Sequence, residues 1–176
     1  MTGNQGCSVA HCPSSNLKLA NGFAPVSALL RQGVNVGLGT DGAASNNRLD
    51  MFEEMRLAAL LAKGQSNRAD ELPAYQALQM ATLNNAKALG LGGRIGSLVR
   101  GKMADITAVD FSAPELSPCY DLVSHLVYSA GREHVSHVWV DGKILVKEGK
   151  LTTLNEQEIL AKALFWEDRI KIKKNG

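Results

Sequence analysis

The sequence contains little cysteine and no long uncharged apolar segment. Three cysteines occur among 176 residues, and none of them are arranged as CxxC, so neither a disulfide framework nor a thiolate zinc cluster is expected. No apolar run approaches the roughly 18 residues that a membrane-spanning helix needs, and residues 1–13 lack the basic and apolar regions of a signal peptide. These absences predict a cytoplasmic chain that does not bind membranes.

An excess of charge of either sign is also missing. Nineteen lysines and arginines against seventeen acidic residues leave a formal net charge of +2, which is too small to indicate a partner nucleic acid. Hydrophobic residues make up 45% and charged residues 20% of the chain. This balance permits a packed core, and the length is typical of one domain, or of one domain with part of a second.

The first half of the chain alternates predicted strands and helices. Short apolar runs predict strands over 7–11 and 34–38, and a proline near the start favours a helix over 24–32 between them. Helical periodicity follows over 47–63 and 73–89. This order of elements is typical of an α/β fold with parallel strands.

The helix predicted over 47–63 is amphipathic. Phe52, Met55 and Ala59 share one face, which we expect to pack on the core. Glu54 and the charged residues beside it are predicted to face water.

The second half of the chain is richer in strands. Residues 104–110 predict a strand, and 138–146 predict a hairpin, because an Asp-Gly pair between two apolar runs is the strongest short hairpin signal. A helix is predicted over 156–171. Its apolar stripe consists of Ile159, Ala163, Trp166 and Ile170. We therefore predict two parts, an α/β part over 1–92 and a β-rich part with a C-terminal helix over 93–176.

Two polar side chains stand where the predicted parallel strands end. His11 closes the first strand, and Asp41 lies in the glycine-rich turn after the second. Ligands of parallel α/β folds bind at the carboxyl ends of the strands, where a carboxylate can hold a divalent metal or orient a water. Two structural alternatives stay open: Asp41 can cap the backbone of its own loop, and His11 can serve in packing or capping alone.

A long ordered series of motifs resembles one family. The series covers nearly the whole chain from Val9, which makes it far more specific than any single motif. It consists of HCPSSNLKLANG (11–22), APVSALLRQGVNVGLGTDGAASNNRLDMFEEMRLAALL (24–61), MATLNNAKALGL (80–91), GKMADITAVD (101–110), SHLVYSA (124–130) and VWVDGK (138–143). The chain resembles the amidohydrolase superfamily, and within it the branch of the 5-methylthioadenosine/S-adenosylhomocysteine deaminases and triazine chlorohydrolases.

The resemblance implies a fold and roles for three residues. It places the chain in the C-terminal portion of such an enzyme: the last two strands and helices of a (β/α)8 barrel over 1–92, and part of a small β-sandwich over 93–176. Asp41 corresponds to the aspartate that closes the eighth strand, binds the catalytic zinc or other divalent metal, and takes a proton from the attacking water. Ser45 matches a position that approaches the substrate. His11 ends the seventh strand and lines the substrate pocket, and it is not taken as a metal ligand.

The departures from the family pattern concern the other metal ligands. The family site also has a His-x-His pair, two further histidines and a glutamate acid/base, and none of these can be placed in this sequence. The chain has only four histidines, and no two are spaced as HxH. His134 and His137 form an HxxH pair, but on an extended segment a spacing of three puts them on opposite faces.

The resemblance therefore implies an incomplete enzyme. The intact enzyme hydrolytically deaminates adenine-type nucleosides or dechlorinates triazines, small-molecule substrates in both cases, and this chain alone is expected to be inactive. We expect it to form a homo-oligomer or to associate with an N-terminal partner polypeptide. The alternatives are one half of a split enzyme, a non-catalytic interaction module, and a small metalloenzyme whose site is shared at a dimer interface.

Overall fold

The computed structural model describes residues 6–174, with side chains to residue 171. Six strands and eight α-helices occur in this part of the chain, together with two 3-10 turns at Pro114–Leu116 and Arg132–His134. In chain order the strands and α-helices are β1 (Ser8–His11), α1 (Pro13–Lys18), α2 (Val26–Arg31), β2 (Asn35–Leu38), α3 (Ala43–Asn46), α4 (Met51–Ser66), α5 (Ala74–Ala81), α6 (Leu83–Ala88), β3 (Ile106–Val109), α7 (Leu122–Tyr128), β4 (Val135–Val140), β5 (Lys143–Lys147), β6 (Lys150–Leu151) and α8 (Glu156–Lys174).

Strands β1 and β2 pair in parallel and bring their carboxyl ends side by side, with His11 opposite Leu38. Helix α6 contributes hydrogen bonds to β2. The side-chain amides of Asn84 and Asn85 donate to the carbonyls of Val36 and Leu38 over 3.0 and 2.8 Å. These bonds satisfy backbone acceptors of β2, and they fix α6 against the strand.

The main core surrounds β2 and is built from small and medium apolar side chains of β2, α2, α4, α5 and α7. Its buried members are Val26, Val34, Val36, Leu38, Met55, Ala58, Ala59, Ala62, Leu72, Ala77, Met80 and Val127. The face of α4 predicted from periodicity is confirmed, since Met55 and Ala59 belong to this set. Burial of such surface, worth about 25 cal/mol per Å², is the dominant favourable term of folding.

Strands β3 to β6 form a second, antiparallel sheet in sequence order. The predicted hairpin is the pair β4–β5, in which Val140 lies opposite Lys143. Asp141 and Gly142 form its turn with φ values of +50° and +74°. Both conformations are left-handed, as a tight two-residue hairpin turn requires.

Two of the predicted helices differ from those in the structure. The helix predicted over 47–63 begins only at Met51, because the side chain of Asp50 accepts hydrogen bonds from two backbone amides of the first turn and so caps it there. The helix predicted over 73–89 is two helices, α5 and α6. They are separated at Thr82, whose φ of −121° and ψ of −90° leave the helical region.

The prediction that Glu54 faces water was wrong. Its side chain is 1% exposed and lies on the side of α4 that meets α1 and α3. Its carboxylate accepts hydrogen bonds from Ser14 and Asn46, and these bonds compensate the loss of hydration. Helices α1 and α3, which create this buried site, have six and four residues and are too short to give a periodic signal.

Helix α7 was not predicted either, and it lies beyond residue 92. Asp121 caps it by accepting a hydrogen bond from the Ser124 amide over 2.6 Å. The helix packs on α4 and α5 and places Val127 in the main core. The second half of the chain therefore contributes to the core built around β2, and the division near residue 92 stays a prediction.

Helix α8 begins where predicted, with Asn155 accepting two backbone amides of its first turn, but its apolar stripe is not buried. Ile159, Trp166 and Ile170 are 48%, 58% and 57% exposed. Arg169 lies over the ring of Phe165, 4.7 Å from its centroid. Among the residues described, no helix combines the length and apolar character needed to cross a membrane.

Candidate functional site

The candidate site lies just beyond the carboxyl ends of the two parallel strands. The Gly39 amide donates to the His11 carbonyl over 3.0 Å and extends the pairing of β1 and β2 by one residue. Asp41 follows in the left-handed conformation, with φ of +61°. A non-glycine residue held in that region stores strain, which is characteristic of functional loops.

Two serine hydroxyls converge on one oxygen of the Asp41 carboxylate. Ser15, on α1, and Ser45, on α3, each place Oγ 2.8 Å from Oδ2 and donate to it. These two bonds, with a third from the Gly42 backbone, lower the pKa of the Asp41 carboxyl below its ordinary value. Asp41 is therefore ionised at neutral pH, as a carboxylate ligand of a cation must be.

The structure thus brings together two of the three predicted site residues, Asp41 and Ser45. Ser15 was not predicted as a site residue, although it stands in the HCPSSN motif, four positions after His11. The available signal was a pair of hydroxyl residues directly after a strand that ends in a candidate site. The partner of these hydroxyls could not be read from the sequence, because Asp41 is 26 residues away.

His11 is buried at the end of β1, with 6% exposure. Its Nδ1 atom forms no hydrogen bond within the described residues, and burial lowers the pKa of the ring, so the imidazole is neutral at neutral pH. The ring lines a cavity of about 10 Å³ together with residues of α1, α2 and α4, and Asp41 does not line this cavity. The space is about the size of one water molecule.

Cys12 links His11 to α1 and lies close to the Asp41 carboxylate. Burial raises the pKa of its thiol, the Asp41 and Glu54 carboxylates raise it further, and the Asp41 and Gly39 backbone amides oppose the change. The thiol is therefore protonated at neutral pH, which makes it a poor nucleophile and a poor metal ligand.

Glu54 forms no hydrogen bond with Asp41 but bonds to residues next to the two serines that do. Its Oε2 accepts the Ser14 backbone amide over 3.1 Å, and its Oε1 accepts the side-chain amide of Asn46 over 2.7 Å. Ser14 precedes Ser15, and Asn46 follows Ser45. The buried carboxylate is therefore bonded to the chain immediately beside each of the two serines that hold Asp41.

His134 and His137, in the second half of the chain, contact residues outside the candidate site. His134 is buried, its Nδ1 accepts the Gly131 amide over 3.0 Å, and its Nε2 lies 3.1 Å from Glu115 Oε1. His137 stacks on Trp139, with ring centroids 5.4 Å apart. Among residues 6–174, no three or more histidine, cysteine, aspartate or glutamate side chains gather in a group that could hold a metal.

Comparison with known proteins identifies the family of the chain. The model of the amidohydrolase family matches residues 2–145. A 5-methylthioadenosine/S-adenosylhomocysteine deaminase of Teredinibacter turnerae is 51% identical over 171 residues, which cover 97% of this chain and 39% of the deaminase. The chain thus spans well under half the length of this relative.

Solved structures show the same relationship in three dimensions. An adenosine deaminase of Xanthomonas campestris with bound zinc matches with a TM-score of 0.92 and 50% identity over 94% of this chain and 38% of its own. An atrazine chlorohydrolase of Arthrobacter aurescens in complex with zinc matches with a TM-score of 0.83 and 30% identity, over 89% of this chain and 35% of its own. These matches confirm the expected α/β fold and the predicted resemblance. The chain belongs to the amidohydrolase family.

Proposed function

We propose that this chain supplies one wall of the active site of a metal-dependent amidohydrolase, with Asp41 as a ligand of the catalytic metal. The observation that carries the proposal is the geometry of Asp41. Its carboxylate stands at the carboxyl end of a parallel strand, is ionised, and has one oxygen fixed by two serine hydroxyls. Carboxylate oxygen is a suitable ligand for zinc and for other divalent ions.

Asp41 fits such a metal but does not complete its site. A catalytic zinc has three protein ligands and an open position, and the described residues of this chain bring together no group of three. The remaining ligands then belong to polypeptide outside this chain, which agrees with the 39% coverage of the deaminase relative. When bound, such a metal lowers the pKa of a water molecule to about 7.

The chain's own residues have defined tasks in this proposal. The serines occupy Oδ2 of Asp41, and a carboxylate offers about four lone-pair sites, so acceptor capacity remains for the metal and for the proton that the attacking water gives up. Ser45 is proposed to approach the substrate. His11 has a neutral ring, and its Nδ1 atom forms no hydrogen bond with the residues that the structure describes. It is proposed to line the substrate pocket.

The proposed substrate is an adenine-type nucleoside, 5-methylthioadenosine or S-adenosylhomocysteine, which loses ammonia by hydrolysis. The deaminase relative at 51% identity supports this choice. Hydrolytic dechlorination of a triazine is a second candidate, supported by the chlorohydrolase structure at 30% identity. In either case we propose that the chain is inactive alone and works with an N-terminal polypeptide or within a homo-oligomer.

The test is a deamination assay on a reconstituted enzyme. The chain is produced together with the part of the Teredinibacter turnerae deaminase that it does not match, here named the complementing segment. With zinc present, the change in purine absorbance should appear for the pair and not for the chain alone. Asp41→Asn should reduce the rate of the pair below about a tenth, because an amide accepts no proton and binds metal poorly.

Two results would contradict the proposal. Turnover by the chain alone that disappears with Asp41→Asn would show a complete site in this chain. A folded, zinc-loaded pair in which Asp41→Asn keeps a tenth or more of the rate would return Asp41 to a role in capping its own loop. A triazine assayed in parallel separates the two substrate classes.

A further inference from the structure

Glu54 is buried, and both of its carboxylate oxygens are hydrogen-bonded. It projects from α4 with 1% exposure, and each of its oxygens has a protein donor. Oε2 receives the Ser14 backbone amide, and Oε1 receives the Asn46 side-chain amide. Since both partners donate, the site requires a group that accepts at both atoms, which glutamate provides and glutamine does not.

The Asn46 side chain cannot reverse to suit a different partner. Its Oδ1 accepts the Leu49 backbone amide over 2.7 Å, so its Nδ2 is left to face Glu54. An amide at position 54 would therefore meet a donor with a donor, either at Ser14 or at Asn46. One buried donor would be left unsatisfied, which is costly.

The two contacts of Glu54 connect segments that are distant in sequence. Ser14 lies 40 residues before Glu54, and Asn46 lies eight residues before it. Their neighbours, Ser15 and Ser45, donate to the same oxygen of Asp41. The orientation of the Asp41 carboxylate thus depends on two serines, and the residue next to each serine is hydrogen-bonded to the Glu54 side chain.

We propose that Glu54 is a positioning residue, which fixes the Asp41 carboxylate for catalysis by holding α1 and α3 at the spacing that both serines need. This inference rests on the proposed function only in taking Asp41 as the residue that is positioned. In this proposal Glu54 acts through its contacts with Ser14 and Asn46 and not on the substrate or the metal.

The first experiment measures steady-state kinetics of the reconstituted enzyme. Glu54→Gln should lower kcat about tenfold and change KM less than twofold. The substitution displaces the Asp41 carboxylate, and that displacement affects the chemical step more than substrate binding. The double variant Glu54→Gln/Asn46→Asp should recover at least half of the wild-type kcat, since the donor and acceptor are exchanged and the introduced carboxylate can still accept the Leu49 amide.

The matched control is Glu53→Gln, the same substitution one position earlier. Glu53 pairs with Arg48 over 3.1 Å on the open side of α4, and its replacement should leave kcat and KM within twofold of wild type. Asn46→Ala, which removes the Oε1 contact from the other end, should resemble Glu54→Gln and serves if that variant does not fold.

The second experiment needs no activity. In the structure the amides of Ser45 and Asn46 donate to the Gly42 carbonyl, so their hydrogen exchange reports the stability of α3. The exchange is measured on the chain together with the complementing segment. Exchange should be about tenfold faster in Glu54→Gln and restored in the double variant, while amides in the middle of α4 are unchanged.

The outcomes separate this inference from the proposed function. If Asp41→Asn abolishes turnover but Glu54→Gln leaves kcat within twofold, or if the double variant restores neither kcat nor exchange, the positioning role is overturned. If the reconstituted enzyme is inert in every form, the proposed function fails, and unchanged exchange in Glu54→Gln would then overturn the bonds assigned to Glu54 as well. Loss and recovery of both kcat and protection support the role.

Discussion

Two regions of the chain differ in how their side chains are partnered. At the carboxyl ends of β1 and β2 the polar side chains are hydrogen-bonded within the chain, whereas on the surface of α8 large apolar side chains are exposed. At the strand ends, Asp41 and Glu54 each accept two hydrogen bonds from side chains or backbone of neighbouring helices. On α8, Leu160, Phe165 and Trp166 are 62%, 53% and 58% exposed.

This contrast shows that the chain forms the hydrogen bonds of its candidate site by itself but does not bury the apolar side chains of α8. The contacts that hold Asp41 all come from residues 14–54, so this piece of the site is formed within the chain. The apolar residues of α8 are distributed around the helix and are exposed to water. We predict that this exposed apolar surface contacts another polypeptide.

The largest expected effect is on the association of the isolated chain. We expect light scattering to give a mass well above the 18.8 kDa of one chain, because self-association would cover the exposed apolar residues of α8. Leu160→Glu/Leu164→Glu should weaken association at least 100-fold, since burial of each leucine contributes about 1.5–3 kcal/mol. Gln157→Glu, which adds charge in the first turn of the same helix, should leave association unchanged.

A clean monomer with a single cooperative unfolding transition would break this part of the comparison. It would mean that α8 is stable in water without a partner, and that its exposed apolar residues have no role in self-association.

The second effect concerns the contact of α6 with β2. A Cβ atom at Gly37 would lie 2.0 Å from Asn85 Oδ1 and 3.5 Å from Asn85 Cα, while the same side chain donates to the Leu38 carbonyl. Gly37→Ala must displace Asn85 and break that bond, and we expect a loss of about 1–3 kcal/mol in the free energy of unfolding.

Gly64→Ala is the matched control, and it should change the free energy of unfolding in the opposite direction. Gly64 lies within α4, and a Cβ atom there would have no neighbour within 4 Å. Alanine should stabilise the helix by about 0.5–1 kcal/mol. Chemical denaturation of both variants tests the pair, and equal effects of the two substitutions would contradict the close packing of α6 on β2.

Local patterns predicted the parallel strands, the hairpin and most of the helices, but not the break between α5 and α6. The apolar spacing continues through Thr82, so periodicity alone joins the two helices. The break depends on distant contacts, because Asn84 and Asn85 must reach the carbonyls of β2. Nothing within residues 73–89 encodes the position of that strand.

Only part of the candidate site was predicted, because the rest of it also depends on contacts between distant elements. Asp41 follows a predicted strand, and the family motif identified both Asp41 and Ser45. Ser15 and Glu54 were missed because their roles exist only once α1 and α3 are packed on α4. Helical periodicity assigned Glu54 to the polar face, and the buried donors that stabilise it there come from other elements.

The smallest expected effect is on the titration of Asp41. Because the serine hydroxyls stabilise the carboxylate, the pKa of Asp41 is lowered in the folded chain. The unfolded chain therefore binds the proton more readily, and Asp41 favours folding above the unfolded pKa of about 3.9. That contribution is lost as the pH falls through the folded pKa. Ser15→Ala should raise the pKa of Asp41 more than Ser45→Ala, since the Ser15 bond is the larger cause.

A carbon-detected NMR titration of the Asp41 carboxyl measures these differences directly. Ser66→Ala, at the far end of α4, is the control and should leave the titration unchanged, because the Ser66 hydroxyl donates to the Lys63 carbonyl. The shifts should be small, since water surrounds Asp41 and screens its interactions. If neither Ser15→Ala nor Ser45→Ala moves the Asp41 titration, the two hydroxyls do not hold the carboxylate in solution. The Asp41 carboxylate would then be no better ordered than the exposed side chains of α8.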